Sequence, residues 1–322
     1  MRILLLIVCY LFCTSSTQAG GEENLIIFFW NVENLFHPEN DSLTNDEEFT
    51  PVGARYWTFS RYYSKLNRIW KIIVAAGNPK PPDIIAMAEI ENLRVLKDLM
   101  MYSPPGKYNY KIVHQESPDR RGIDVALLYD PTTLNLFLEE FITVDLEPSG
   151  GGPTRDILHA GFARGSDSLH IFVSHWPSKY GGVGYSDPFR MIAAQILSIN
   201  VSRIIASFPE HKIICIGDFN DVTESESIKF FLNETPIRHV PFTDEFPQGS
   251  LKFQGKWETI DHIFVSDNLF EDQQKISAHF FAPEFLFERD DSYGGIRPFR
   301  SWEGYWFREG FSDHVPVVLE VK

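Results

Sequence analysis

The stretch Lys212–Asp221, KIICIGDFND, joins the pattern of a buried strand to a polar turn. Its first half is a run of three isoleucines and a cysteine that ends at Gly217, and Asp218, Asn220 and Asp221 follow within four positions. Because Gly, Asp and Asn are common turn residues, the decapeptide alone favours a plain turn. Ligands of α/β folds also bind beyond the carboxyl ends of strands, so a metal or phosphate site is the alternative.

Five other segments repeat this pattern, in which an apolar strand-like run borders residues able to bind a metal or a phosphate. The bordering residues are Asn31, Glu33, Glu89, Glu91, His175, Asp261, Asp313 and His314. Such an oxygen-rich set with two imidazoles suits a hard cation such as Mg²⁺ or Ca²⁺. The sequence contains no HExxH zinc motif, no Walker-type glycine loop and no Gly-x-Ser-x-Gly elbow. Six polar strand ends together favour one shared site over six unrelated turns.

The remaining pattern predicts many strands and few helices. Apolar residues recur at helical spacing before Gly77, the longest helical pattern spans 186–208, and a short helix is expected near 224–232. No linker interrupts residues 20–322, which favours a single α+β domain with two β-sheets inside and helices outside.

The N-terminus has the pattern of an export signal over residues 1–19. Arg2 precedes an apolar run from Ile3 to Phe12, and Ala19 closes a small-x-small cleavage site. The run is about half of the roughly 20 residues that span a bilayer. We therefore expect a secreted or periplasmic protein. A lipid anchor at Cys13 is the alternative, and only that anchor would bring the protein to a membrane.

Charge and cysteine content limit the mature chain further. The formal charge of −15 becomes −16 once residues 1–19, with Arg2 and no acid, are removed. That charge argues against a broad electrostatic grip on polyanions, although a bound divalent metal can invert the local field. Only Cys215 remains after removal of the signal, so no internal disulfide is expected.

These segments, in this order, resemble the endonuclease/exonuclease/phosphatase superfamily, which includes DNase I-like nucleases, sphingomyelinases and inositol-phosphate phosphatases. The resemblance extends from about Asn24 to Lys322, and GDFN (217–220) and SDHVPV (312–317) are its most specific parts. It implies a four-layer αββα sandwich with two packed, mainly antiparallel β-sheets. It also implies a divalent-metal-dependent hydrolase of phosphoesters.

The resemblance assigns the metal site to three residues. Glu89 would be the principal ligand, Asn31 would lie close by, and Asp313 would support the site. Mg²⁺ is the expected ion, with Mn²⁺ or Ca²⁺ as alternatives. Two departures from the family pattern are Ala88, where Gln is frequent, and Glu33, where Asp is frequent.

The resemblance also assigns the catalytic roles. Asp218 would orient and deprotonate the attacking water, and Asn220 would bind the phosphate. His314 would contact the scissile phosphate, and Asp261 would hold its imidazole. His175 would be a second imidazole at the phosphate or the leaving group. An Asp–His pair is well suited to such chemistry because it fixes the tautomer and stabilises the imidazolium.

Three arginines are candidates for binding substrate phosphate. Arg121 and Arg155 each precede a strand pattern, and Arg190 lies in the first turn of the longest helical pattern. Arg155 is the strongest candidate, and a surface salt bridge is the alternative for each.

The functional prediction is an exported, monomeric, metal-dependent phosphodiesterase, with nuclease action on DNA or RNA as the first choice. A phospholipid (sphingomyelinase-like) or small phosphoester and inositol-phosphate hydrolase is the alternative within the superfamily, and an inactive binding module is a further one. The aromatic loop 292–314 has two interpretations. Trp302, Tyr305 or Trp306 could stack on a substrate, or the loop could pack a small core of its own.

Overall fold

The computed structural model describes residues 24–77, 80–102, 108–179, 181–270 and 276–322. The predicted export signal and its two cysteines lie outside these ranges. The strands are β1 Leu25–Leu35, β2 Ile84–Ile90, β3 Lys111–Val113, β4 Asp124–Tyr129, β5 Asn135–Ile142, β6 Ile157–Arg164, β7 Asp167–His175, β8 Lys212–Asp218, β9 Ile237–His239, β10 Leu251–Phe253, β11 Lys256–Glu258, β12 Asp261–Ser266, β13 Ile276–Phe280, β14 Phe287–Arg289, β15 Ile296–Pro298, β16 Trp302–Glu303, β17 Trp306–Phe307 and β18 Val317–Val321. The α-helices are α1 Phe59–Ala76, α2 Leu93–Met101, α3 Val183–Ser207, α4 Glu226–Glu234 and α5 Asp267–Phe270.

Twelve of these strands form two six-stranded sheets with matching topology. The first sheet has the order β13-β18-β1-β2-β4-β3, and the second has the order β5-β6-β7-β8-β12-β9. In each sheet the two central strands, β1 with β2 and β7 with β8, are parallel, and every other pairing is antiparallel. The expected pair of mainly antiparallel sheets is confirmed. The remaining strands form three two-stranded hairpins.

Alternate side chains of β8 pack into two different layers of the fold. Ile214 and Ile216 lie in the large core that also contains residues of the first sheet, whereas Ile213 and Cys215 lie in a second core with residues of α3. Because successive strand residues point to opposite faces, one strand joins the sheet interface to the helix layer. On the other side, α1 packs its buried residues against the first sheet. These layers confirm the αββα sandwich.

The longest helix, α3, is a core helix of this sandwich. By length and composition its residues 184–207 could span a membrane, but Ala193, Leu197 and Val201 are fully buried in the second core. Cys215 is a buried free cysteine in the same core, and the described residues contain no disulfide.

Candidate active site

The pairing around β8 brings three candidate side chains together at one sheet edge. His175 at the end of β7 is the register partner of Asp218, and Asp261 at the start of β12 is its partner on the other side. Gly217 makes this close pairing possible, because a Cβ added there would lie 2.1 Å from the carbonyl oxygen of Ser174. Gly217 therefore lies within the strand and permits close strand contact, whereas the sequence suggested only the end of the strand.

Asp218 is the centre of the cluster and is only 2% exposed. Its Oδ2 accepts a hydrogen bond from Asn31 Nδ2 at 3.1 Å, and its Oδ1 accepts one from the backbone N–H of Asn220 at 2.9 Å. The Nε2 atoms of His175 and His314 lie 3.6 Å and 3.8 Å from the same Oδ2. Two amides and two imidazoles thus surround one buried carboxylate.

The loop before β18 carries His314 across to the second sheet and is fixed by hydrogen bonds to β1. Trp30 Nε1 donates to the His314 carbonyl at 2.9 Å, and Ser312 Oγ donates to the Asn31 carbonyl at 2.6 Å. The imidazole Nδ1 of His314 lies 2.8 Å from Asp261 Oδ2. The expected Asp–His pair is present in the structure, and it aims the other ring nitrogen towards Asp218.

The cluster separates the protonation states of its members. Burial raises the pKa of Asp218 to about 7, with His314 opposing this shift and Asp261 adding to it. Burial lowers the pKa of His314, but the charges of Asp261 and Asp218 outweigh burial and raise it well above the usual value. Burial, followed by the charge of Arg155, lowers the pKa of His175 well below the usual value. One imidazolium and one neutral imidazole therefore face a carboxyl group that titrates near neutrality, which is suited to acid–base chemistry.

The predicted metal ligands lie at the first sheet's edge of the same site. Glu89 is half-buried, its Oε2 accepts the Asn34 backbone N–H at 2.8 Å, and no hydrogen bond among the described residues engages its other oxygen. Asn31 Oδ1 accepts from the Glu33 backbone N–H at 3.0 Å and retains one lone pair. This available carboxylate and amide oxygen fit a hard divalent cation.

Asp313, the third predicted ligand, belongs to an ion-pair network. Its Oδ2 lies 3.0 Å from Arg300 Nη2, which also lies 3.0 Å from Glu33 Oε1. Glu33 is buried and also accepts a hydrogen bond from the Ser301 backbone N–H at 2.6 Å. Fully buried Lys65 donates to the Glu33 carbonyl and to Ser301 Oγ. The support of a metal site by Asp313 stays a prediction, and the ion pair with Arg300 holds one of its carboxylate oxygens.

Backbone strain is concentrated around these side chains. Seven non-glycine residues among those described have positive φ, and four of them are Glu33, Asn34, Glu89 and Asn220. Each such conformation is unfavourable and persists only where the surrounding structure imposes it. Their concentration here indicates that the fold holds these residues in a fixed functional geometry.

The arginine predictions fare differently from one another. Arg190 is fully buried, and its Nε lies 2.8 Å from Asp221 Oδ2, so the prediction that it contacts substrate is wrong. Arg155, the strongest sequence candidate, is buried behind His175 and donates to Asp119 at 3.0 Å and to the Trp176 carbonyl at 2.7 Å. Its guanidinium acts on the site through charge and is not open for a bidentate phosphate contact.

Arg121 is the open cation of the three. Its side chain is 54% exposed and its nearest acidic atom, in Asp119, is 3.9 Å away. Its charge also helps to lower the pKa of His175, which places it near the cluster.

Sequence reasoning missed several residues of the site. Arg300 and Lys65 were not singled out, because an arginine in a loop and a lysine in a helix carry no pattern that reveals burial. Glu91 was identified only as one of the acids that border a strand pattern. It is buried, it accepts the His37 backbone N–H, and burial raises its pKa to about 8. Its place two residues after Glu89, directly after the end of β2, was the only available signal.

Each of the two interpretations of the aromatic loop 292–314 agrees with part of the loop. Trp302 is buried against Trp57 and Phe307, which agrees with a small core of its own. Tyr305 and Trp306 are exposed by 59% and 79%. Of the three candidate rings, these two remain accessible for contact with a substrate.

Comparison with known proteins identifies the class. The model of the endonuclease/exonuclease/phosphatase family matches residues 26–322, so the chain belongs to this family of metal-dependent phosphoester hydrolases. No curated protein matches the sequence.

Solved structures share the fold at low identity. Truncated TDP2 from Caenorhabditis elegans has a TM-score of 0.56 and 15% identity, covering 92% of this chain and 97% of that chain. A mannosyl-6-phosphatase from Bacteroides thetaiotaomicron has a TM-score of 0.58 and 16% identity, covering 92% and 99%. The human Nocturnin catalytic domain has a TM-score of 0.58 and 14% identity, covering 93% and 94%. At these identities the likeness supports the fold and leaves the substrate open.

Proposed function

We propose that the protein is an exported, Mg²⁺-dependent phosphodiesterase that acts on nucleic acid. The observation that carries the proposal is the buried carboxylate of Asp218, surrounded by Asn31, Asn220, His175 and His314. A phosphoester hydrolase needs a base for water and a cationic group for the phosphoryl oxygens, and this cluster supplies both.

The chain's own residues divide the chemical work. Asp218 in its carboxylate form accepts a proton from the attacking water, since its raised pKa gives it appreciable basicity at neutral pH. His314, as an imidazolium held by Asp261, donates a hydrogen bond to a phosphoryl oxygen as negative charge develops. Asn220 Nδ2 donates one N–H to the Trp176 carbonyl at 3.0 Å and keeps the other for the phosphate.

A divalent metal would be held by Glu89 and Asn31, with Asp313 in support. When bound, such an ion neutralises phosphoryl charge and stabilises the leaving oxygen. The preference for Mg²⁺ follows from the oxygen donors, because imidazole-poor oxygen sites suit hard cations.

A groove beside Asn220 supports a diester with a large group on one side of the phosphate. The groove has a volume of about 640 Å³ and includes Lys179, Leu251, Phe253 and Ile260 in its lining. Phe253 is 62% exposed, so a nucleobase could stack on its ring. The acidic net charge of −15 favours a single-stranded or short substrate over an extended duplex.

Hydrolysis of a small phosphomonoester is the second candidate. This candidate is favoured by the fold that the chain shares with a solved protein named as a mannosyl-6-phosphatase. A sphingomyelinase-like activity and an inactive binding module rank below it. Export rests on the pattern of residues 1–19, and N-terminal sequencing of secreted protein should give a chain beginning near residue 20.

A substrate panel tests these proposals. Single-stranded DNA, RNA, bis-p-nitrophenyl phosphate, sphingomyelin, inositol phosphates and mannose 6-phosphate would be assayed with Mg²⁺, Mn²⁺, Ca²⁺ and EDTA. We expect Mg²⁺-dependent cleavage of nucleic acid and of the synthetic diester. Turnover of mannose 6-phosphate without nucleic-acid cleavage would overturn the choice of substrate, and EDTA-insensitive hydrolysis would overturn the mechanism.

A further inference from the structure

The connection between β3 and β4 contains a second group of possible metal ligands. His114, Glu116 and Asp124 each offer a ligand atom, and the three atoms lie within 4.8 Å of one another. None of these residues belongs to the cluster around Asp218.

Two of the three ligand atoms are buried without a hydrogen bond. The side chains of His114 and Asp124 are only 1% and 3% exposed, and Nε2 of the first lies 3.3 Å from Oδ2 of the second. Within the part of the chain that the structure describes, neither atom has a hydrogen-bond partner. The other carboxylate oxygen, Asp124 Oδ1, accepts the Ser117 backbone N–H at 2.9 Å. Since buried polar atoms are nearly always hydrogen-bonded, two such atoms that face each other 3.3 Å apart without a hydrogen bond point to a missing common partner.

The separation of these atoms matches coordination by a metal. In a tetrahedral site with metal–ligand bonds of about 2.0–2.1 Å, ligand atoms lie roughly 3.3–3.4 Å apart. The 3.3 Å between His114 and Asp124 agrees with that value. Exposed Glu116 supplies a third ligand from the solvent side, where water can complete the shell.

We propose that His114, Glu116 and Asp124 form a binding site for Zn²⁺ or a similar late first-row divalent cation, separate from the catalytic site. An imidazole with two carboxylates suits such ions, whereas Mg²⁺ prefers oxygen ligands alone. One buried histidine and one buried aspartate hold the inner side, and the exposed glutamate leaves an entry path for the ion.

The position of the site gives the ion a structural role. It closes the connection from His114 to Asp124, and Asp119 within that connection accepts the hydrogen bond from Arg155 Nη1 at 3.0 Å. Arg121 lies in the same connection. A bound ion would therefore fix the segment that holds Arg155 behind His175.

Binding of Zn²⁺ and Co²⁺ themselves tests the proposal without an activity assay. The full chain would carry Glu89→Gln to weaken binding at the catalytic site, and this variant is the parent. We expect the parent to bind one equivalent of Zn²⁺ by calorimetry and metal analysis. Its Co²⁺ form should show the strong visible absorption of a tetrahedral ion.

Two further variants decide the outcome. His114→Ala in the parent background should lose the equivalent of Zn²⁺ and the Co²⁺ band, whereas His279→Ala, which removes an imidazole from β13, should keep both. Because His114 is buried, circular dichroism must confirm folding. Glu116→Gln changes an exposed side chain and should weaken Zn²⁺ binding at least tenfold; it decides the case if His114→Ala does not fold. Unchanged Zn²⁺ affinity in Glu116→Gln and in folded His114→Ala would overturn the proposal.

Discussion

Two Asp–His pairs occupy corresponding places in the two sheets. Asp124 opens β4 beside β2, and Asp261 opens β12 beside β8. Asp261 lies 2.8 Å from His314 in a hydrogen bond, while Asp124 lies 3.3 Å from His114 without one. The same residue types at equivalent strand starts therefore form a hydrogen-bonded pair, proposed above to be catalytic, in one sheet and a pair without a hydrogen bond in the other.

The difference lies in what each imidazole faces on its free side. His314 directs its second nitrogen towards the buried carboxylate of Asp218, whose charge helps to keep the ring protonated. His114 has a ligand atom within 4.8 Å of ligand atoms of Asp124 and of the exposed acid Glu116. The sequence contains an Asp and a His at both places. The chemistry of each pair depends on the third group, Asp218 in one sheet and Glu116 in the other.

The largest expected effect is on the pH dependence of folding stability. It comes from buried imidazoles that lack a strong carboxylate partner. Burial lowers the pKa of His262 to about 3 and those of His170 and His239 to about 4. Their folded-state pKa lies below the unfolded value of about 6.5, so the unfolded chain gains protons first as the pH falls. The stability that they contribute is complete above about pH 6.5 and is lost between there and about pH 4.

Asp218 and Glu91, whose pKa values burial raises to about 7 and about 8, change stability in the opposite direction over this range. We therefore expect about 3 kcal/mol of the free energy of unfolding to be lost from pH 7 to pH 4 through His262 alone. Urea denaturation across that range measures this loss, and His262→Asn should reduce its pH dependence. The same change in stability between pH 7 and pH 4 in wild type and in His262→Asn would contradict neutral burial of this ring.

The next effect separates the two Asp–His pairs directly. Asp261→Asn removes the charge that holds the His314 imidazolium, and we expect kcat on bis-p-nitrophenyl phosphate to fall about 100-fold, or about 2.7 kcal/mol. Asp124→Asn should lower kcat only a few-fold, through the loop that carries Arg121. Equal losses in the two variants would remove the functional difference between the pairs.

A smaller effect is expected at the open arginine. Arg121→Ala should raise KM about tenfold, or about 1.4 kcal/mol, because an exposed guanidinium contributes one charged contact to the phosphate. Arg203→Ala removes a partly exposed arginine on α3 that pairs with Glu140 and serves as the matched control. The same KM in wild type and Arg121→Ala would exclude Arg121 from phosphate binding.

Local sequence predicts much of this site because its residues border strands. Asp218, Asp261 and His314 follow or precede apolar runs, and the sheet edge brings such positions together. Alternation also predicts that His262, next to Asp261, points to the opposite face, and its ring there lies 2.9 Å from the Asp221 carbonyl.

What sequence does not provide is the partner of a long side chain. Arg190 and Arg155 look alike as arginines near strand or helix starts, yet both are buried in ion pairs within the fold. Arg300 donates hydrogen bonds to both Glu33 and Asp313, which lie 267 and 13 positions away along the chain. Long-range contacts of this kind depend on the packing of the two sheets and leave no periodic pattern.

We propose above that Asp218 is the base of a metal-dependent phosphoester hydrolysis. Its most direct test compares wild type with Asp218→Asn on bis-p-nitrophenyl phosphate in Mg²⁺, with EDTA added to a parallel wild-type sample. We expect Asp218→Asn to lower kcat by about 10³-fold or more, with an unchanged circular dichroism spectrum. EDTA should abolish turnover by the wild type. Full activity in folded Asp218→Asn would contradict its role as the base, and turnover unaffected by EDTA would contradict the requirement for a metal.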